Sequence, residues 1–323
     1  MVLYAWFYSD NGIKYLFCQT YIGRCVLEYI SAAETAKKWG LSDRAVRKHC
    51  AEGKIQGAFL TGKTWNIPEG ALPPERKNAK KFSDNRLLNV LKEEKDGRTK
   101  GGIYHKIQVN LTYNSNHIEG SRLTEDQTRR IFETNTIGAQ DGSVNVDDII
   151  ETKNHFRCVD YVIDNAKKTL TENIIKTLHF MLKSGTSDSA KAWFKVGGYK
   201  LKPNEVGGQA TCPPLEVEKR VRALLEEYNA KEKKNIEDII DFHQRFEKIH
   251  PFQDGNGRVG RLVMFKECLA NNIVPFIIEE EHRWYYYRGL KEWNHQKGFL
   301  TDTCLSAQDK FREWLKYFMI EHL

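Results

Sequence analysis

The stretch His250-Pro251-Phe252-Gln253-Asp254-Gly255-Asn256-Gly257-Arg258-Val259-Gly260-Arg261 constrains this chain more than any other. It sets a proline and two glycines between two helical patterns, so the chain must bend there. Upstream, Ile236, Ile239, Ile240, His243, Phe246 and Ile249 recur at the three- and four-residue spacing of one helix face. Pro251 disfavours helical backbone at the residue before it, which predicts a helix ending at His250 and leaves the imidazole at a helix end. From Gly257 onward Val259, Leu262, Phe265 and Leu269 mark the inward face of a second helix, with Arg258 and Arg261 neighbours on its first turn. A loop entering that helix through Gly255-Asn256-Gly257 presents free N–H groups and the positive end of the macrodipole, which suits phosphate.

Each residue type then has a task. Asp254 is a hard oxygen ligand suited to Mg²⁺, an ion that takes one or two carboxylates and completes its shell with substrate phosphates and water. Arg258 and Arg261 can grip phosphate oxygens bidentately and neutralise charge on a leaving pyrophosphate. His250, with an unperturbed pKa of roughly 6.5, can accept a hydroxyl proton near neutral pH. The combination suggests phosphoryl or nucleotidyl transfer to an alcohol. Taken singly, a His before Pro is more often only a helix terminus, and two Arg at helical spacing only a solvated face. Gly255-x-Gly257-x-x-Gly260 also matches a dinucleotide fingerprint and is followed by the apolar run Ile273 to Ile278 and Glu279. That fingerprint must follow a strand, whereas here it follows a helical pattern and a proline.

Position by position, the twelve residues resemble the motif of the Fic (Fido) family, whose members mostly move AMP from ATP onto a protein Ser, Thr or Tyr hydroxyl. The resemblance implies a mainly α fold, a Fic-type helical bundle with a β-hairpin flap, over residues 101–323. It implies His250 as the base, Asp254 as the Mg²⁺ ligand and Gly255, Asn256 and Gly257 as the anion cradle. Arg258 would contact the α- and β-phosphates and Arg261 the γ-phosphate of ATP, the substrate, with Phe252 a buried anchor. Ser115-Asn116-His117-Ile118-Glu119-Gly120 is similar to the family's inhibitory motif, which assigns Ser115, Glu119 and Gly120 to autoinhibition. A glutamate on Arg261 would take the site that the γ-phosphate needs and leave the α-phosphate out of line. The plainer reading of Glu119 is a residue beside a helix C-cap at Gly120.

Phe194 to Thr211 carries Gly197-Gly198 and Gly207-Gly208 around Tyr199-Lys200-Leu201 and Glu205-Val206, the composition of a β-hairpin. The resemblance makes residues 194–212 a flap whose Glu205, Val206 and Gly207 pair with the backbone of a protein target; otherwise it is an ordinary surface hairpin. Tyr286, Tyr287 and Asn294 fall where the family places adenine contacts, though tyrosines at this spacing are as often core. The remaining helical patterns are read as core: one from Thr124, one within Asp147 to Asn165, one from Thr171 to Leu182 stopped by Gly185, and one striped by Val217, Val221, Leu224, Leu225 and Tyr228. Phe311, Trp314, Leu315 and Phe318 form an apolar helix face, for the core or for a homodimer.

Residues 30–72 read as a separate small domain. Ser31 caps a helix ended by Gly40, and Ser42 caps a second with Ala45, Val46 and Cys50 inward and Arg44, Arg47 and Lys48 outward. Lys54–Phe59 and Thr64–Pro68 follow as a hairpin wing around Thr61-Gly62-Lys63. The whole resembles the winged helix-turn-helix modules of excisionase and MerR type. The resemblance implies DNA as a partner through residues 30–68, the second helix in a major groove and Lys63 on phosphate; a protein-interaction module is the rival reading. Residues 73–100, with Pro73-Pro74 and charged runs, read as a linker with a short helix from Asp84 to Leu91, and residues 1–29 as an extension with a possible turn at Asp10-Asn11-Gly12.

The chain has 40% hydrophobic and 29% charged residues and no apolar run near the roughly 20 residues that span a bilayer. With no basic-apolar leader, a cytoplasmic location is expected. Seven cysteines without a C-x-x-C pair point to reduced thiols. The formal charge of +7 permits an acidic partner such as a nucleotide or DNA. The enzyme expected is an autoinhibited protein adenylyltransferase. Two rivals are a DNA-binding regulator whose Fic domain senses nucleotide, and a de-AMPylase in which Glu119 positions water.

Overall fold

The computed structural model describes residues 29–62, 64–74, 86–138 and 143–320. The turn at Asp10-Asn11-Gly12, Lys63 and the basic run from Arg76 lie outside the described residues.

Two helices set the frame. Helix α9 (Ile236–Ile249) starts at Asn235, whose side chain and that of Asp238 cap each other's backbone, and buries Ile239, Ile240, Phe242, His243, Phe246 and Ile249. It ends at His250, whose left-handed backbone (φ 52°) turns the chain into Pro251. Helix α10 (Asn256–Ala270) follows a left-handed Gly255 and is buried all round from Asn256 to Leu269. The expected inward face of four residues was too narrow, because α10 runs through the middle of the bundle.

Around this pair pack α4 (Ile103–Ile118), α6 (Val146–Asp164), α7 (Glu172–Lys183) and α8 (Pro214–Ala230), with α5 (Glu125–Thr134) against α4 and α6. Their apolar stripes, with Leu87, Leu88 and Leu91 from α3 (Arg86–Asp96), form one core. Much of the expected linker is therefore helix locked into that core: the charged run on the exposed side of α3 concealed three buried leucines. Helix α12 (Gly298–Tyr317) places Phe311 and Leu315 in the same core and packs the partly buried Trp314 and Phe318 against it. A second cluster joins α9 and α10 to α11 (Arg283–Lys291) and α12 through Ile240, Met264, Tyr286 and Leu300.

Residues 273–278 form no strand; Val274, Phe276, Ile277 and Ile278 are buried coil. The dinucleotide fingerprint is thus excluded on both sides. The expected long hairpin is short: β4 (Glu205–Val206) pairs with β5 (Gln209–Ala210) through Gly207 and Gly208, both at positive φ, as a tight hairpin turn requires. Tyr199-Lys200-Leu201 is coil that anchors the hairpin's base.

In the N-terminal region, α1 (Ala32–Trp39) carries a capping box between Ser31 and Glu34 and stops at a left-handed Gly40. Helix α2 (Asp43–Ala51) is capped by Ser42. An antiparallel sheet in the order β1-β3-β2 completes the unit, with β1 (Tyr29–Ser31), β2 (Phe59–Thr61) and β3 (Thr64–Pro68). The first wing strand is shorter than expected because Ile55 turns into the small core with Ala32, Ala36, Val46, Cys50 and Ile67. Tyr29, expected at the end of an extension, pairs with Pro68, so it belongs to this sheet. The unit docks on α12, where Ser42 Oγ donates to Asp302 Oδ2 at 2.6 Å, and on the turn before it, where Gln296 Nε2 donates to the Leu41 carbonyl at 3.2 Å.

No helix among the described residues is long and apolar enough to cross a membrane. Cys50, Cys158, Cys212, Cys268 and Cys304 are free thiols.

Candidate functional site

The bend between α9 and α10 is held by its own side chains. Phe252 N–H donates to Asn256 Oδ1 at 2.8 Å and Asn256 Nδ2 donates back to the Phe252 carbonyl at 2.9 Å. Phe252, fully buried, stacks on His179 of α7 at 4.0 Å between ring centroids. The Gly197 N–H donates to His179 Nδ1 at 2.9 Å, so the ring carries its proton on Nε2, which donates to the Asp254 carbonyl at 3.1 Å. One neutral imidazole thus ties the hairpin's approach to the loop. Burial pushes its pKa down to about 3, so the ring stays neutral at pH 7.

Helix α10 begins with no side chain capping its N–H groups, because Gly255 stands at the cap and the Asn256 side chain is used inside the loop. Above this turn lies Glu119, the C-cap of α4. A Cβ on Gly257 would fall 2.1 Å from Glu119 Oε1, so only glycine lets the carboxylate come this close to the helix N-terminus. The same oxygen accepts from Arg261 Nη2 at 2.8 Å. Arg261 also donates from Nε to Ser115 Oγ at 3.0 Å and from Nη2 to the Ser115 carbonyl at 2.8 Å. Ser115, Glu119 and Arg261 therefore meet, while Gly120 at positive φ turns the chain away.

His250 lies across the bend. Its Nδ1 is 3.3 Å from the Glu247 carbonyl; a carbonyl only accepts, so Nδ1 carries the proton and Nε2 keeps its lone pair. Burial, reinforced by Lys200, lowers its pKa to about 4. Lys200 Nζ holds the hairpin base by donating to Thr211 Oγ1 at 2.6 Å and Asn204 Oδ1 at 2.8 Å. Glu247, one turn before His250, is pushed up to about 8 by burial and by Glu119, against the pull of Arg261. It holds its proton to higher pH than an ordinary carboxylic acid.

Asp254 Oδ2 accepts from Lys183 Nζ at 2.6 Å and from Arg258 Nη2 at 3.2 Å. Although burial opposes ionisation, Arg258 and Lys183 hold its carboxyl well below the usual range. Its side chain is 46% exposed, so a charged oxygen faces solvent. Arg258 pairs in turn with Glu151 of α6 and buries an unpartnered Nε. An ionised, half-exposed carboxylate beside an unsatisfied guanidinium donor fits a hard cation carrying phosphates.

The three expected adenine contacts lie apart. Tyr286 is 1% exposed and its hydroxyl lies 2.7 Å from His243 Nε2 and 3.5 Å from Arg261 Nη1, so it supports the arginine and has no ring face for a base. Tyr287 is partly exposed and donates to the Ile118 carbonyl at 3.0 Å. Asn294 is exposed and lines a groove of about 720 Å³ with Thr211, Gln244, Lys248, Ile249 and Trp293; His250, Asp254, Arg258 and Arg261 are not in its lining. Glu205, Val206 and Gly207 are exposed on the hairpin. A further group, Glu279, Glu281 and His282, brings its donor atoms within 4.8 Å of one another, but Glu279 already pairs with Lys310.

Sequence reading missed His179, Lys183, Glu151 and Glu247. His179 and Lys183 share one face of α7 at i and i+4, a spacing with no signal of its own because their partner Asp254 is 71 residues from Lys183.

Residues 169–268 match the model of the Fic/DOC family. That span runs from the start of α7 through the hairpin and the bend to most of α10. A protein adenylyltransferase Fic of Nematostella vectensis is 26% identical over 187 residues, 57% of this chain and 42% of that one. One of Drosophila mojavensis is 27% identical over 187 residues, 55% and 35% of the two chains. The chain thus spans less than half the length of these curated relatives. Among solved structures, a Fic-domain-containing signalling protein of Bacteroides thetaiotaomicron superposes with a TM-score of 0.53 at 24% identity, covering 71% of this chain and 90% of that one. Residues 134–508 of Fic-1 from C. elegans give 0.56 at 18%, covering 73% and 72%. At these identities the structures establish a shared fold.

Proposed function

We propose that the chain is a protein adenylyltransferase that moves AMP from ATP onto a Ser, Thr or Tyr hydroxyl of a target protein and is held inactive by Glu119. The observation that carries this reading is the pairing of a neutral His250, with its Nε2 lone pair available, and an uncapped α10 N-terminus flanked by Arg258 and Arg261. The target hydroxyl oxygen attacks the α-phosphorus, the bond to the β-phosphate oxygen breaks, pyrophosphate leaves, and His250 Nε2 takes the hydroxyl proton. Arg258 and the α10 N–H groups bind the phosphates and Arg261 the terminal one. Asp254 is the residue that would hold Mg²⁺, which supplies charge neutralisation on the phosphates when bound. Glu205, Val206 and Gly207 offer an edge to a target's backbone, and the groove containing Asn294 takes the nucleoside.

The test uses ATP labelled at the α- or the γ-phosphate, with the Glu119→Gly chain, freed of the inhibitory contact, and a mixture of proteins. Label from the α position alone should transfer, and His250→Ala should abolish it. Transfer that survives His250→Ala, or that carries the γ label, overturns the reading.

For residues 30–72 we propose a winged helix-turn-helix that binds DNA, favoured by the two capped helices, the antiparallel sheet and exposed Arg44, Arg47 and Lys48 on α2. Replacing Arg44 and Arg47 by Ala should remove a salt-sensitive gel shift. A chain that shifts no DNA even at low salt argues for the protein-interaction alternative.

A further inference from the structure

Asp254 has a neighbour that the reaction above does not use. Lys183, the last residue of α7, has a side chain only 3% exposed, and its Nζ lies 2.6 Å from Asp254 Oδ2 and 3.5 Å from Asp188 Oδ2, and pairs with Glu151 Oε1. Arg258 meets the same two carboxylates, Asp254 and Glu151, through its other nitrogens. Asp188 is also bound by Lys191, at 2.5 Å. Each of these cations is thus already matched by at least one carboxylate.

This balance decides how a divalent cation is received. A bare ion meets a carboxylate whose Oδ2 already accepts from an ammonium and a guanidinium, and their positive charges repel it. Lys183 also pairs with Glu151 and Asp188, and leaving would strip the partly buried Glu151 of a partner, so it stays beside Asp254 when an ion arrives. An ion that arrives on a polyphosphate brings several negative charges, and Lys183 and Arg258 then attract the incoming complex. The loop's shape does not need Lys183, since Asn256 and His179 hold it.

Resting on the reading of Asp254 as the metal ligand, we infer that Lys183 is a positioning residue: a resident counter-ion that aims Asp254 through Oδ2, keeps a bare divalent cation weakly bound, and makes metal binding depend on the polyphosphate that comes with it. Metal and nucleotide therefore bind as a unit.

Mn²⁺ is the probe, with free ion counted by electron paramagnetic resonance, alone or with a non-hydrolysable ATP analogue. The parent is the Glu119→Gly chain, and Asp254→Asn, Lys183→Gln and Lys183→Arg are compared in it. Lys183→Gln should bind Mn²⁺ alone about tenfold more tightly and Mn²⁺ with the analogue about tenfold less tightly, while Lys183→Arg behaves as the parent. A merely structural lysine would move both affinities the same way, and that result, or no change in either, overturns the inference. If Lys183→Gln does not fold, as thermal unfolding will show, the parent decides: bare Mn²⁺ bound as tightly as Mn²⁺ with the analogue overturns the inference, and much weaker binding supports it. Should Asp254→Asn leave Mn²⁺ binding unchanged, the reading of Asp254 fails and the inference falls with it, a result distinct from failure of Lys183 alone.

Discussion

Glu119→Gly isolates one contact whose strength can be worked from the structure. Glu119 sits 2.8 Å from Arg261 Nη2, and its side chain is about a quarter exposed while that of Arg261 is buried. A hydrogen bond between such charged groups contributes about 1.5–3 kcal/mol, and a carboxylate at a helix N-terminus adds roughly 0.3–1 kcal/mol. Partial exposure argues for the lower half of the sum, about 2–3 kcal/mol, which is roughly 30- to 150-fold in an equilibrium constant. A γ-phosphate that must displace Glu119 bears this cost, so the variant should bind ATP more tightly by that factor and transfer label faster by at least as much. Arg261 stays anchored by Ser115, and glycine is compatible with Glu119's backbone (φ −87°), so the fold should persist. The assay is calorimetric titration with ATP beside α-label transfer. Equal affinity and equal transfer in variant and parent would refute the autoinhibitory contact.

Other outcomes follow from the same geometry. Because His250 is lowered to about 4, it remains a base down to that pH, so transfer by the Glu119→Gly chain should show no loss attributable to His250 between pH 8 and 6. A rate falling through pH 6.5 contradicts this. Glu247, raised to about 8, binds its proton more tightly when folded than the ordinary value of 4.5 allows; its stabilising effect is full below pH 4.5 and is lost as pH rises through 8. Glu247→Gln should therefore gain stability relative to the parent between pH 5 and pH 8 in urea unfolding, and a pH-independent difference would contradict the assignment. Phe252→Ala empties a fully buried ring site stacked on His179 and should cost about 3–5 kcal/mol in the same experiment, whereas a loss under about 1 kcal/mol would mean that the loop is held by other contacts.

Helices α6 to α9 could be read from periodicity because each buries a stripe, whereas α10 is buried all round; the caps at Ser31 and Ser42 announce themselves by residue type. What spacing could not resolve was which of several similar residues turns inward. Trp284, Tyr285 and Tyr287 are exposed or partly so, and only Tyr286 between them is buried, yet consecutive aromatics on one short helix carry no mark of which one faces the core. The charge-rich end of α3 hid its leucines for the opposite reason, since one helix can be polar on one face and core on the other. Glu151 and Arg258 lie 107 residues apart. Such a pair exists only once the helices have packed.

The seam between the N-terminal unit and α12 rests on one missing side chain. A Cβ on Gly298 would stand 2.9 Å from both the Gly40 carbonyl oxygen and the Leu41 carbonyl carbon, so any larger residue there drives a wedge into the joint from the α12 side. Because Asn294 lines the groove and Gln296 grips Leu41, a strut only a few residues long belongs to both neighbourhoods at once. Prising the joint open at Gly298 would therefore disturb the groove's rim without altering a single residue that lines it.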